Sequence, residues 1–226
     1  MSYTKTGGSS RGDTNKDHTM RIKVMKAKVP STSELDTVYQ AVLNALDQIM
    51  DETGSAYGMD IPGYVIEKYE TDHSLNCSNM ESSATTWLDN NGFTDGQFLW
   101  VTNCSDAFAD SEGAWEGRTE AFVSTDWYSG DMLGAVAIQE ALHSFLLDSC
   151  LKLPGDDHSL GQDADEGSYD NATPMVASYG DSSENYESKG DCNRDKNTDG
   201  VTYDITYCTV EGMNYSREHA YNNGVH

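Results

Sequence analysis

Long apolar runs, cationic side chains and closely spaced cysteine pairs are all scarce in this chain of 226 residues. No stretch approaches the ~20 consecutive apolar residues that a membrane-spanning helix needs, so we expect no membrane insertion. Only 14 Lys and Arg residues stand against 38 Asp and Glu residues, a formal net charge of −24. Because phosphate groups are bound by basic surfaces, this balance argues against nucleic acids as partners and disfavours binding to anionic membrane surfaces. None of the five cysteines forms a C-x-x-C pair, which argues against a structural zinc knot.

The acidic excess runs along the whole chain and fits two settings. In a high-salt habitat, carboxylates keep the surface hydrated while salt screens their mutual repulsion. The other setting is one rich in divalent cations, which would offset the repulsion between the carboxylates. Asp outnumbers Glu, which favours the halophilic interpretation, whereas the excess of Lys over Arg fits it less well.

The cysteines and the Asn-x-Ser/Thr sequences indicate an exported protein. We expect disulfides between Cys77 and Cys104 and between Cys192 and Cys208, with Cys150 left as a buried thiol at the end of an apolar helix. Potential glycosylation sequences occur four times, at Asn76, Asn103, Asn171 and Asn214. Both features are typical of extracellular proteins.

The composition divides the chain into a polar tail and one domain. Residues 1–18 are rich in Gly, Ser, Asp and Lys, which predicts a disordered tail. They lack the apolar core of a signal peptide, so we expect any such signal to have been removed or replaced. Residues 19–226 are predicted to form a single domain, in which residues 154–208 are an irregular acidic subregion that a disulfide could close.

Hydrophobic periodicity predicts the order β-α-β-α-β-β-α, then a long loop region and a last helix. Strands are predicted at residues 20–25, 64–69, 98–101 and 119–124, and helices at residues 31–52, 81–90, 131–149 and 209–222. Ser31 followed by Glu34 is a capping box at the start of the first helix. Val201 to Val210 is predicted to form one arm of a hairpin.

The apolar helix predicted over residues 131–149 carries an unusual group of polar side chains. Gln139 and His143 are four residues apart and share one face, and Glu140 lies one step of about 100° around the helix. The other residues near them are apolar on nearly every side, so the helix should be buried. Burying these three groups costs several kcal/mol unless they pair or bind something.

The segment from Gln139 to His143 resembles the zinc-binding helix of zincins, H-E-x-x-H, with Gln139 in place of the first His. Thr173-Pro174-Met175-Val176-Ala177-Ser178-Tyr179 resembles the Met-turn of metzincins. The resemblance covers most of residues 20–222. It implies a metzincin-like α+β fold: a twisted mixed β-sheet with an N-terminal helix, a buried active-site-type helix, a long irregular acidic segment and a C-terminal helix. The chain is also similar to small acidic secreted proteins of halophilic archaea.

The metzincin resemblance implies roles for individual residues. Glu140 would be the general base, and His143 and His158 would be zinc ligands. Gln139 would be a weak ligand, because an amide oxygen binds zinc less well than imidazole. The resemblance also implies that Met175 lies beneath the metal and that Tyr179 faces the substrate.

The chain departs from the extended metzincin pattern after His143. Leu146 and Ser149 occupy the positions where that pattern has Gly and the third His. The metal shell would have to be completed by other side chains, for which the candidates are Gln139, Asp157, Asp163 and Glu166. Such a mixed oxygen and nitrogen site could suit zinc, another divalent metal or none.

A second motif, from Asp195 through Asn197 and Asp199 to Gly200, matches the first half of an EF-hand calcium loop. Thr206 stands where the loop would have its bidentate Glu. The motif is therefore interpreted either as a calcium site or as a plain acidic turn.

Two functions from different classes follow. The first is a secreted, metzincin-like zinc peptidase acting on peptides or proteins, or a degenerate, inactive relative of one. The alternative is a non-catalytic extracellular surface or assembly protein stabilised by disulfides and calcium. In that case Glu140 and His143 form a satisfied polar pair, Met175 is ordinary core, and His158 is solvated. The sequence does not determine the oligomeric state.

Overall fold

The computed structural model describes residues 2–53, 61–105, 114–115, 117–147, 163–165, 170–175 and 200–222. The main sheet has five strands: β1 (Tyr3–Gly12), β2 (Met20–Lys26), β3 (Gly63–Thr71), β4 (Gly96–Thr102) and β5 (Arg118–Ser124). A smaller sheet joins β6 (Asp163–Asp165), β7 (Asp170–Ala172) and β8 (Gly200–Val201). The helices in these ranges are α1 (Thr32–Thr53), α2 (Met80–Asn90), α3 (Gly130–His143) and α4 (Tyr207–Asn222). None of these described helices is long and apolar enough to cross a membrane. The predicted mixture of helices and a mixed sheet is confirmed.

Four parallel strands form the body of the main sheet. The strand order is β1-β3-β2-β4-β5, and β1 alone runs antiparallel to its neighbour. Ile22 of β2 lies opposite Ile66 of β3 on one side and Gln97 of β4 on the other. Because parallel neighbours need a crossover, α1 connects β2 to β3 and α2 connects β3 to β4.

Helices cover both faces of the main sheet, and each face has its own hydrophobic core. The first core joins α1, α3 and the start of α4 to strand residues such as Ile22 and Leu99. The second core joins α2 to the opposite face, where the rings of Trp87 and Trp100 meet edge to face at 5.4 Å. Burial on both faces explains why β4 is an apolar run that is buried along its whole length.

The predicted capping box at the start of α1 is confirmed. The Ser31 backbone N–H donates to Glu34 Oε2 at 2.6 Å, and the Glu34 backbone N–H donates to Ser31 Oγ at 3.2 Å. These two bonds satisfy donors that the first helical turn leaves open, and they fix where the helix begins.

Strand β1 corrects the prediction that residues 1–18 form a disordered tail. The strand pairs with β3 from Tyr3 opposite Thr71 to Gly12 opposite Gly63. Its side chains are mostly exposed, so it lacks the hydrophobic alternation by which a strand is recognised in sequence. Backbone pairing to the open edge of β3 holds it, together with the Tyr3 ring, which packs edge-on against rings of the second core.

Helix α3 corrects the predicted helix over residues 131–149, because it ends at His143. The residues that follow bond to other parts of the chain instead of continuing the helix. The Phe145 carbonyl accepts a hydrogen bond from a tryptophan indole, and the Leu147 backbone N–H donates to Ser216 Oγ at 2.9 Å. Partners this far apart in the chain leave no periodic pattern in the sequence, so the end of the helix could not be predicted from it.

The hairpin arm predicted from Val201 to Val210 is also wrong. Strand β8 is two residues long and pairs in parallel with β7, and helix α4 begins at Tyr207. Thr206 precedes that helix, and its Oγ1 accepts a hydrogen bond from the Thr209 backbone N–H at 3.1 Å. A threonine in this position caps a helix, which explains why the segment turns instead of extending.

The predicted disulfide between Cys77 and Cys104 is confirmed. It ties a single 3₁₀ turn, Cys77–Asn79, to the segment that follows β4. Cys208 is disulfide-bonded as well. Its predicted partner, Cys192, lies outside the described residues, as does Cys150, so that pairing stays a prediction.

Candidate functional site

Helix α3 holds the polar residues that the sequence singled out. Every residue from Leu133 to Leu142 is buried. Gln139 and Glu140 belong to this run, with exposed fractions of 7% and 9%, and Glu140 Oε2 is fully enclosed. His143 is the last residue of the helix and is half-buried. A carboxyl group in such a place loses most of its hydration, so its position has a free-energy cost that a purely apolar helix would avoid.

Gln97 of β4 fixes the end of α3 against the sheet. Its Nε2 donates to the Glu140 main-chain carbonyl at 3.0 Å and to Ser144 Oγ at 2.8 Å. Both Gln97 and Ser144 are fully buried. One side chain thus holds the backbone of the turn that carries Glu140 and His143. Gln97 was not among the predicted site residues, although a glutamine inside an otherwise apolar strand is a signal for such a role.

The segment after α3 is held by two other parts of the chain. The Ala114 backbone N–H donates to the Ser144 carbonyl at 2.8 Å, and Trp115 Nε1 donates to the Phe145 carbonyl at 2.8 Å. On the other side lies Ser216 of α4, whose Oγ accepts from Leu147 as described above. His143 therefore stands at a firmly placed helix C-terminus, where the helix dipole favours a positive charge or a cation.

Tyr203 packs directly on the first half of α3. An ideal Cβ at Gly134 would lie 2.2 Å from the Tyr203 hydroxyl oxygen and 2.5 Å from Cζ, so this position accepts only glycine while the ring stays in place. Burial raises the pKa of Tyr203, and the charge of Asp131 and a hydrogen bond to it raise that pKa further. The ring thus locks the segment before α4 onto the helix that carries the candidate site.

Met175 lies in the first core, together with residues of α3. It is fully buried, as is the neighbouring Thr173, which is 1% exposed. The backbone of Met175 is left-handed, with φ 68°, a conformation that is uncommon for residues other than glycine. The predicted Met-turn stays a prediction, because its residues from Val176 to Tyr179 lie outside the described residues.

Two of the predicted zinc ligands lie within the described residues. Gln139 offers an amide and His143 an imidazole from one helix. No group of three or more His, Cys, Asp and Glu side chains able to hold a metal occurs within the residues that the structure describes. His158, Asp157 and Glu166 lie outside those residues, and of Asp163 only the backbone in β6 is described. Of the predicted zinc ligands, the side chains of Gln139 and His143 alone are described, and zinc binding stays a prediction.

Of the predicted calcium half-motif, the structure describes only the last residue. Asp195, Asn197 and Asp199 lie outside the described residues, and Gly200 begins β8. Calcium binding there stays a prediction.

Two cavities lie away from the polar residues of α3. One, of about 570 Å³, opens beside the first residues of β2 and β4 and is lined by Lys16 and Arg21 among others. The other, of about 310 Å³, lies along α2 and is lined by residues from His73 to Asn90. In its wall, His73 Nε2 is 3.2 Å from Ser83 Oγ, and the His73 ring stacks on Trp87 at 5.8 Å. Burial lowers the pKa of His73, and the contact with Ser83 and the charge of Asp72 partly oppose that shift.

Comparison with known proteins adds no relative. No family model matches the chain, and no curated protein sequence matches it. The function is therefore inferred from the chemistry of the candidate site.

Proposed function

We propose that this protein is a secreted, degenerate relative of the metzincin-like zinc peptidases, in which α3 keeps the general base and one metal ligand. The observation that carries the proposal is the burial of Gln139 and Glu140 on an otherwise apolar helix that ends in His143. Apolar side chains at these positions would avoid the free-energy cost of desolvating an amide and a carboxyl group, a cost that pairing or ligand binding has to offset.

The order of elements supports the same scaffold. The main sheet precedes α3, and the buried Met175 and helix α4 follow it. The family resemblance expects this order of sheet, active-site helix, Met-turn and C-terminal helix. The left-handed, buried backbone of Met175 is a second, independent feature in its favour.

In this proposal Glu140 is the general base and then the general acid. Its carboxylate takes a proton from the water that attacks a peptide carbonyl, and then passes that proton to the departing amine. Gln97 is a positioning residue, since it holds the main chain of Glu140. His143, and His158 from outside the described residues, would hold the zinc, with Gln139 as a neutral donor and Tyr179 facing the peptide or protein substrate. Bound zinc supplies Lewis-acid polarisation of the water.

Restoring the missing imidazole tests the proposal. We expect Gln139→His to raise zinc affinity, measured by competition with a chromophoric chelator, and to raise casein hydrolysis with it. Adding Glu140→Gln to this variant should lower hydrolysis by about 10²–10⁴-fold while zinc stays bound, because the general base is lost but the ligands remain. Glu81→Gln, an exposed glutamate of α2, is the matched control and should change neither. A folded Gln139→His variant that binds no more zinc than the wild type would contradict the proposal.

The alternative function is a non-catalytic extracellular surface or assembly protein. The confirmed disulfide, a feature typical of extracellular proteins, is the observation that favours it. In that case Gln139→His would lower the free energy of unfolding without zinc-dependent recovery, because the larger ring would only disturb a packed core.

A further inference from the structure

We propose that Asn76 carries an N-linked glycan, and that the other three Asn-x-Ser/Thr sequences do not. Transfer requires that both the asparagine amide and the hydroxyl group two residues later be reachable, and the bulky glycan must then stand outside the folded chain. The four sequences differ clearly in this respect. The proposal also rests on export of the chain, which the Cys77–Cys104 disulfide favours independently of any peptidase activity.

The sequence Asn76-Cys77-Ser78 meets both requirements. Asn76 and Ser78 are exposed. Asn76 Oδ1 accepts a hydrogen bond from the Ser78 backbone N–H at 3.2 Å, which forms an Asx turn. This bond engages the oxygen of the side-chain amide, and it leaves the nitrogen, the atom that receives the glycan, on the opposite side of the amide group.

The surroundings of Asn76 allow it to be presented to a transferase. It lies in the irregular segment between β3 and α2, just before the 3₁₀ turn Cys77–Asn79, and that turn buries no side chain. Leu75 of this segment packs against the second core, but the turn Cys77–Asn79 itself is held by no buried side chain, so opening the turn before Cys77 is tied to Cys104 should cost little free energy.

Each of the other three sequences has a buried element. In the sequence Asn103-Cys104-Ser105 the serine is exposed, but Asn103 is half-buried and the backbone beside it is held by Cys104, which is 2% exposed, so this amide is less accessible than that of Asn76. Asn171 is followed by Thr173, which is 1% exposed. Asn214 lies within α4, and the hydroxyl of its Ser216 is fully buried, where it donates to the Gly212 carbonyl and accepts from the Leu147 backbone N–H.

The chemistry needs a sugar donor of one class, an oligosaccharide linked through phosphate or diphosphate to a lipid. A bond forms between Asn76 Nδ2 and the anomeric carbon, and the bond from that carbon to the phosphate oxygen breaks. The lipid phosphate or diphosphate departs with the electron pair, and one amide proton passes to a base of the transferase. No oxidant or reductant is involved.

Expression of the full chain behind a signal peptide in a eukaryotic secretory host tests the proposal. The chain is recovered from the secretory compartments and the medium, and its glycans are released enzymatically in H₂¹⁸O, which converts a glycosylated Asn into ¹⁸O-labelled Asp. Peptide mass spectrometry of the wild type should find the label at Asn76. The mass of one glycan should be lost in Asn76→Gln and in Ser78→Ala and retained in the matched control Asn103→Gln.

Label at one of the other three asparagines but not at Asn76 would overturn the proposal, and so would a recovered chain without any label. Because the site is mapped in the wild type, these outcomes do not depend on how well the variants fold. They are also separate from zinc binding and casein hydrolysis, so failure here leaves the proposed function standing.

Discussion

A methyl group at position 134 should destabilise the protein even though it favours the helix. Gly134 is an interior residue of α3, and its Cα faces the ring of Tyr203. In Gly134→Ala the new Cβ would lie 2.2 Å from the tyrosine hydroxyl oxygen and 2.5 Å from Cζ. Contacts this short cannot persist, so the ring must leave its place.

The expected size follows from three contributions. Alanine in place of glycine gains about 1 kcal/mol of helix propensity. Overpacking against the tyrosine ring costs about 1–3 kcal/mol. The displaced ring also gives up its hydrogen bond to Asp131, which is worth about 1 kcal/mol. The free energy of unfolding should therefore fall by about 1–3 kcal/mol, since the gain in propensity offsets only part of the loss.

Urea denaturation of four proteins measures this effect: the wild type, Gly134→Ala, Tyr203→Ala and the double variant. In the Tyr203→Ala background the obstacle is gone, so Gly134→Ala should now stabilise by up to about 1 kcal/mol. Gly117→Ala is the matched control, because nothing lies within 4 Å of a Cβ built there, and it should not destabilise. The reasoning is refuted if Gly134→Ala has the same sign in both backgrounds.

Three further predictions concern the disulfide, pH and salt. Replacing both Cys77 and Cys104 by Ser should lower the free energy of unfolding by about 3.5 kcal/mol in urea, the loop-closure value for a sequence separation of 27; an unchanged midpoint would contradict it. Because burial lowers the pKa of His73, the unfolded chain binds its proton more tightly, so stability should fall as pH decreases from about 6.5 through the lowered pKa. His73→Phe should flatten that part of the pH profile, and an unchanged slope would argue against this origin. With a net charge of −24, stability should rise from low to molar NaCl as carboxylate repulsion is screened, and a thermal midpoint independent of salt would count against a high-salt habitat.

Local signals in the sequence located most of the main fold. The capping box at Ser31 and Glu34 fixed the start of α1, and apolar periodicity found α2 and the parallel strands. These features depend on residues close together in the chain. Strand β1 was not predicted, because a strand with exposed side chains has no hydrophobic alternation. It forms by pairing with the open edge of β3.

The candidate site was foreseen in its residue types but not in its supports. Gln139, Glu140 and His143 stood out as polar residues on an apolar helix. Gln97 and Tyr203 could not be predicted in the same way, because both contact α3 from distant parts of the chain. Gln97 lies 43 residues before Glu140, and Tyr203 lies far beyond the end of the helix. Only the pairing of strands and the return of the chain bring them there.

Strand β1 ends the main sheet with an edge that resists further pairing. It carries Lys5 and Arg11, it contains the pair Gly7-Gly8, and its register shifts between Lys5 and Gly7. Charges, glycines and bulges on an edge strand discourage another chain from adding to it. The neighbouring strand, β3, contains the β-branched pair Val65-Ile66. A chain shortened to begin at residue 19 would expose that strand as the new edge, and we expect light scattering to show it self-associating into β-rich aggregates. The first residues are thus expected to shield β3 from pairing with a second chain.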